Sequence, residues 1–226
     1  MKKIGLVVAV ETEAVGNRYG KPVSLHRHGS IEVSEYRVPA GQLFVCHTGM
    51  GEIAAAAGTQ LLISLYGAEM ILNYGVVGGL TGEMKIAKTC VVEKAVHYDM
   101  DTSPIDPVVP GQYLELPDVY LPADPELVRK ALLLAPELKP VICASGDKFV
   151  EGAAQKEALH QAWNAEICDM ESAAVILTSF RNQVPCLLLK TVSDAVEGGA
   201  EDFVREKLRA STLCLSIMDQ ILEGLG

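Results

Sequence analysis

Positive charge is scarce in this 226-residue sequence: 19 Lys and Arg face 29 Asp and Glu, a formal net charge of −10 at pH 7. Such a surface repels phosphate backbones and anionic lipid headgroups, so neither nucleic acid nor a charged membrane surface is an expected partner. Long apolar runs are missing too. No stretch approaches the roughly 18 apolar residues that cross a bilayer. The run 4–10 behind Met1-Lys2-Lys3 is too short for a signal sequence, lacks a small-residue cleavage site and meets Glu11 and Glu13 at once; it reads as a buried first strand. Paired metal ligands are absent as well. Cys46, Cys90, Cys143, Cys168, Cys186 and Cys214 stand far apart inside apolar stretches, and His47, His97 and His160 are isolated, while His26 and His28 flank Arg27 on what reads as an edge strand. No CxxC or HExxH spacing exists, so no metal site is expected, and the cysteines read as reduced core thiols of a soluble, cytoplasmic protein.

What the chain does have is a large apolar fraction, 49%, with 21% charged residues, which excludes disorder and supports a substantial core. Short β-branched runs at 4–10, 43–47, 70–74, 89–96, 141–144 and 185–192 read as buried strands. Helical patterns lie between them. Residues 52–66 form an alanine-rich helix stopped by Gly67, and 125–135 open behind Asp124 as N-cap with Pro125 in the first helical position. The last helix aligns Val204, Leu208, Ser211, Leu215, Met218 and Leu222 in one stripe. Val38-Pro39-Ala40-Gly41 suits a tight turn between antiparallel strands, so the sheet is expected to be mixed. Neither a repeat nor a linker divides the chain. One α/β domain over 1–226, a three-layer α/β/α sandwich around a twisted mixed sheet, is the expected architecture. The segment 101–125, with six prolines and little periodicity, is long enough to be a functional loop or an interface.

Three acids stand where strands end, the place where open α/β sheets bind ligands: Glu13, Glu171 and Asp194. Each has a plain alternative, as a first-turn acid complementing a helix dipole or as a turn former. Glycine-rich turns accompany them at Thr48-Gly49-Met50-Gly51 and Asn73-Tyr74-Gly75-Val76-Val77-Gly78-Gly79. The first also matches a dinucleotide fingerprint, with Glu69 about 20 residues on, but Glu69 precedes a strand instead of ending it, which disfavours a nicotinamide enzyme.

Together with Ala144-Ser145-Gly146-Asp147-Lys148-Phe149-Val150, Met170-Glu171-Ser172-Ala173 and Thr191-Val192-Ser193-Asp194, these turns occur in the order and spacing of the purine nucleoside phosphorylase and uridine phosphorylase superfamily. Within it the chain most resembles 5'-methylthioadenosine/S-adenosylhomocysteine nucleosidases. The resemblance implies an N-ribosyl hydrolase that needs no cofactor, takes a purine nucleoside as its small-molecule partner and works as a homodimer. It assigns protonation of the leaving purine to Asp194, water activation to Glu13, and the ribose hydroxyls and cationic sugar to Glu171, with Met170 packed below. Phe149 would stack on adenine, Val150 would bind it through its backbone, and Phe203 would cover the pocket. Met50, Gly78 and Ser193 belong to the same surroundings. Ile105 aligns with the residue that reaches into the neighbouring subunit's site.

Two positions depart from the pattern: Val76 stands where nucleosidases usually have serine, and Lys190 where they have arginine. Valine cannot hydrogen-bond through its side chain, and lysine lacks the planar guanidinium fork. A phosphate-dependent nucleoside phosphorylase and a non-catalytic nucleoside-binding protein therefore remain alternatives. Against the phosphorylase, neither glycine-rich turn supplies an arginine for a phosphate dianion.

Overall fold

In the computed structural model, which describes residues 2–225, ten strands and six helices alternate: β1 (Lys3–Val8), α1 (Thr12–Tyr19), β2 (Ser24–His28), β3 (Ile31–Val38), β4 (Gly41–His47), α2 (Glu52–Tyr66), β5 (Met70–Gly79), β6 (Thr89–His97), β7 (Tyr120–Pro122), α3 (Pro125–Leu134), β8 (Lys139–Ser145), α4 (Ala153–Trp163), β9 (Ile167–Asp169), α5 (Ser172–Arg181), β10 (Cys186–Asp194) and α6 (Ala200–Leu225). The apolar runs become the central strands because only a backbone paired on both sides can bury that many consecutive side chains. Every residue of β10 is buried, as are nine of the ten in β5.

The sheet is mixed. β1 runs parallel to β4 and β5, whereas β3 pairs antiparallel with both β4 and the edge strand β2. The β3–β4 connection is the tight hairpin expected at 38–41, with Val38 opposite Gly41. β5 is long enough to pair with β1 through its first half, with β9 at Gly78 and Gly79, and with β10 along its other edge. β10 continues to β6, β6 to β8, and β8 back to β9, so five strands close into a ring. Sequence periodicity carried no sign of that closure, which depends on pairings between distant strands.

Helices cover the sheet. α2 packs on α5, β1 and β4, while α6 packs on β5 and β10 beside α1 and α3. Asp124 caps α3 by accepting the Leu127 N–H at 2.9 Å, with Pro125 in the first turn. The stripe of α6 is buried at Ser211, Leu215, Met218 and Leu222, each large apolar member contributing about 1.5–3 kcal/mol. At the other end of that helix Val204 is 75% exposed and Leu208 is also uncovered. Arg18 and Tyr19 of α1 both bond Asp219, tying the two helices together. Among the described residues no helix is long and apolar enough to cross a membrane.

Candidate active site

The ends of β1, β5, β9 and β10 converge on a cavity of about 210 Å³, lined largely by apolar atoms and flanked by Glu11, Glu171 and Asp194. Each carboxylate is delivered by a local break in regular structure.

β1 stops at Val8, and Glu11 is the residue before α1. Tyr74 Oη donates to its main-chain oxygen at 2.8 Å, and its carboxylate turns back to accept the N–H groups of Val10 (3.0 Å) and Val76 (3.1 Å). Glu11 is only 4% exposed. Gly75 makes room for it, since a Cβ there would lie 3.0 Å from Oε1. Glu13, by contrast, lies in the exposed first turn of α1 and does not line the cavity. The expectation that Glu13 reaches the pocket is therefore corrected: the helix starts at Thr12, which turns position 13 outward and leaves position 11 facing in.

Asp194 ends β10 just beyond a register irregularity after Val192, where an extra residue re-aims the side chains. Its Oδ1 accepts Ser193 Oγ at 2.9 Å and its Oδ2 accepts Lys156 Nζ at 2.6 Å. Gly78 permits this approach, because a Cβ there would sit 3.2 Å from Oδ2. Lys156 comes from α4 and is fully buried. Nothing in the sequence pointed to it.

At the far end, the N-termini of α2 and α5 face one another, and their unpaired N–H groups collect acids. Glu171 accepts Gly51 N–H at 3.0 Å, Asp147 accepts Glu52 N–H at 2.8 Å, Glu52 accepts Ala174 N–H at 2.6 Å, and Asp169 accepts Ser172 N–H at 3.1 Å. Lys190 Nζ lies 2.8 Å from Asp169 Oδ2. That ammonium holds Asp169 below the usual carboxylate range against the opposing cost of its burial. Burial, then repulsion from Asp169, pushes Glu171 up, and the same two causes push Glu52 up to about 8. Ser145 Oγ sits 2.6 Å from both Glu52 Oε1 and Asp169 Oδ1. One hydroxyl proton cannot serve both oxygens at once, and with Glu52 raised and Asp169 held down, Glu52 is the carboxyl of the two that keeps a proton to higher pH.

Met50, Val76, Gly78, Phe149, Val150, Met170, Ser193 and Phe203 all line the cavity with Glu171 and Asp194. Phe149 and Phe203 meet edge to face, centroids 5.7 Å apart, at its mouth. Lys190 does not line it, contrary to expectation, because its ammonium is engaged with Asp169 behind Glu171. Ile105 is 84% exposed and lies outside this chain's own cavity. Besides Glu11 and Lys156, the sequence reading missed Asp169, which lines the floor, and Lys148. Chemically, the cavity offers a carboxylate held by a lysine and a serine at one end and an acid-rich floor suited to a developing cation at the other. A third carboxylate, fixed by two backbone N–H groups, stands beside Val76.

Known proteins resemble this chain over most of its length. The chain is 28% identical over 192 residues, 81% of its length and 82% of the relative's, to the aminodeoxyfutalosine nucleosidase of Campylobacter jejuni. It is 26% identical to the 5'-methylthioadenosine/S-adenosylhomocysteine nucleosidase of Shewanella piezotolerans, covering 97% of this chain and 100% of that one. Its fold superposes with a TM-score of 0.92 on the 5'-methylthioadenosine/S-adenosylhomocysteine nucleosidase of Helicobacter pylori, at 23% identity, covering 99% of this chain and 98% of that one. A family model described as the phosphorylase superfamily matches residues 3–223, from the first strand almost to the end of α6, and the chain belongs to that superfamily.

Proposed function

We propose that the protein is a nucleosidase that hydrolyses the N-glycosidic bond of adenine nucleosides, releasing adenine and a ribose derivative. 5'-Methylthioadenosine, S-adenosylhomocysteine and aminodeoxyfutalosine form its substrate class. The observation that carries this reading is the set of three buried carboxylates, Glu11, Glu171 and Asp194, around one apolar cavity. Hydrolysis of such a bond needs an acid, a base and a counter-charge for a ribosyl cation, and three separately held carboxylates support that division of labour.

In the proposed reaction Asp194 gives a proton to the purine N7 as the C1'–N9 electron pair leaves with the base. Glu171 and the acidic floor hold the ribose hydroxyls and stabilise the oxocarbenium-like sugar. A water attacks C1' and Glu11 accepts its proton, so one carboxylate has lost a proton and the other gained one, and solvent exchange resets both. Val76 contributes its backbone N–H to Glu11 and not a side-chain hydroxyl. Lys190 acts through Asp169 and not on the sugar directly. Phe149 and Phe203 flank the base, with Val150, Met170, Met50, Gly78 and Ser193 completing the surroundings.

Lys148 is the one basic side chain among the described residues lining the cavity. A phosphate dianion beside Glu11 and Glu171 would lack the cations it needs, which favours water over phosphate as the nucleophile. Incubation with a panel of nucleosides, with and without phosphate, tests this by following free base and sugar product. Adenine and free ribose derivative are expected at equal rates in both buffers. Ribose 1-phosphate formed only with phosphate would establish a phosphorylase, and tight binding without base release a binding protein.

The reading extends to a single cytoplasmic unit over 1–226 that pairs as a homodimer. Exposed Ile53, Ile105, Val109 and Leu114, on α2 and the proline-rich loop, support the dimer by leaving apolar surface uncovered. Six buried unpaired thiols support a reducing compartment.

A further inference from the structure

Lys156 is a fully buried lysine that the reaction as described does not use. Desolvating an ammonium costs several kcal/mol, and an apolar side chain of similar volume would pack more cheaply. The neighbours of Nζ explain its retention: Asp194 Oδ2 at 2.6 Å, Ala195 O at 2.6 Å, Gly198 O at 3.3 Å and Asp194 O at 3.5 Å.

We propose that Lys156 is a positioning residue for the general acid, locking Asp194 and the turn that leads into α6 as one rigid unit. The proposal rests on the assignment of Asp194 as the acid. Three of the four oxygens around the ammonium are peptide carbonyls, which keep their lone pairs whether Asp194 is ionised or protonated. These contacts hold the lysine in place through the cycle. Because Oδ2 is held by Lys156, the proton bound for the purine is carried on Oδ1, where Ser193 Oγ lies 2.9 Å away. Ser193 has a second acceptor, Val77 O at 3.3 Å, so its hydroxyl can turn aside when Oδ1 is protonated. The carbonyls of Ala195 and Gly198 belong to the turn before Ala200, where α6 begins, and α6 carries Phe203 and Val204 into the cavity wall. One ammonium thus sets both the acid and the approach of the wall that covers the base.

The test compares K156M, K156Q, D194N and K156M/D194N on 5'-methylthioadenosine and on 4-nitrophenyl riboside, whose leaving group departs without protonation. Circular dichroism and melting temperature are recorded for each. K156M is expected to lose about 10–100-fold in kcat on the nucleoside, part of the range of general acid catalysis, and only a few-fold on the nitrophenyl riboside. K156Q, which can still donate to Oδ2, is expected to fall between K156M and the parent. In the D194N background the lysine change should cost little more, since residues acting as a unit are non-additive. Equal losses on both substrates, full additivity with D194N, or failure of both K156M and K156Q to fold would reduce Lys156 to a structural strut and overturn the proposal. If D194N is slow and K156M retains the parental rate, the lysine assignment alone fails. A D194N protein with parental turnover removes the acid assignment and this proposal with it.

Discussion

Two buried lysine–aspartate pairs stand at opposite ends of one cavity, and they are built differently. At the end proposed for the base, Lys156 meets Asp194 inside a cage of peptide carbonyls. At the end proposed for the ribose, Lys190 meets Asp169 among further carboxylates, Glu171 and Glu52, which outnumber it. The first pair is balanced one to one and fixes geometry. The second leaves an excess of acid that adds to the cost of burial: desolvation first and repulsion from Asp169 second push Glu52 up to about 8 and raise Glu171 in the same direction. The same ion pair thus serves as a clamp in one place and as the partial neutraliser of an acidic floor in the other.

Breaking the base end should give the largest change. D194N preserves shape but removes the proposed proton donor, and turnover of adenine nucleosides should fall by roughly two to four decades, with a far smaller loss on a leaving group that needs no protonation. Steady-state kinetics on both substrate types check this, and equal losses would contradict it. The ribose end should register its damage in stability. K190M leaves Asp169 as an uncompensated buried charge and should cost about 3–5 kcal/mol in urea unfolding, with K190M/D169N recovering part of it. A K190M protein as stable as the parent would dissolve the contrast.

A subtler separation comes from pH. Glu171 must be ionised to stabilise a cationic sugar, and burial with Asp169 nearby raises its pKa, so kcat/KM should climb with pH along a limb above the ordinary carboxylate range. D169N should shift that limb downward, because it removes the repelling anion and frees Lys190 to attract. A limb that does not move would sever Asp169 from Glu171. The smallest effect is expected at Glu52. Its folded form holds a proton up to about pH 8, whereas the unfolded form releases it near 4.5. The folded state therefore binds more protons between those values, and its contribution to stability declines as pH rises through that window. E52Q can donate to Ser145 and accept from Ala174 as protonated Glu52 does. It should melt close to the parent at pH 5 and show a flatter decline toward pH 8 by calorimetry.

Much of this frame was legible in the sequence, for a physical reason: burial on both faces of a strand leaves continuous apolar runs, and β5, β6, β8 and β10 all carry them. The capped start of α3 and the glycine turns after β4 and within β5 were legible too, since few residue types suit those positions. What escaped depends on relations between distant segments. The choice between Glu11 and Glu13 hangs on where α1 begins and on Tyr74 and Val76, more than sixty positions away. Lys156, between Gln155 and Glu157 in a helix, has the pattern of a solvated residue until Asp194 is brought against it. Lys190 was visible as a cation within a buried strand, but its engagement with Asp169 required the middle of β10 to be brought against the end of β9.

The central claim, that hydrolysis is run by the three carboxylates the fold buries around the cavity, is tested most directly at the first of them. Single-turnover base release from 5'-methylthioadenosine should be compared for E11Q and E13Q, with melting temperature and substrate affinity recorded for each. Glutamine at position 11 can still orient a water but cannot take its proton, so E11Q should fold, bind substrate and lose nearly all turnover. E13Q, changed on the exposed first turn of α1, should keep the parental rate and lose at most about 0.3–1 kcal/mol of stability from the helix dipole. The reverse pattern, with E13Q inactive and E11Q turning over at the parental rate, would contradict the account.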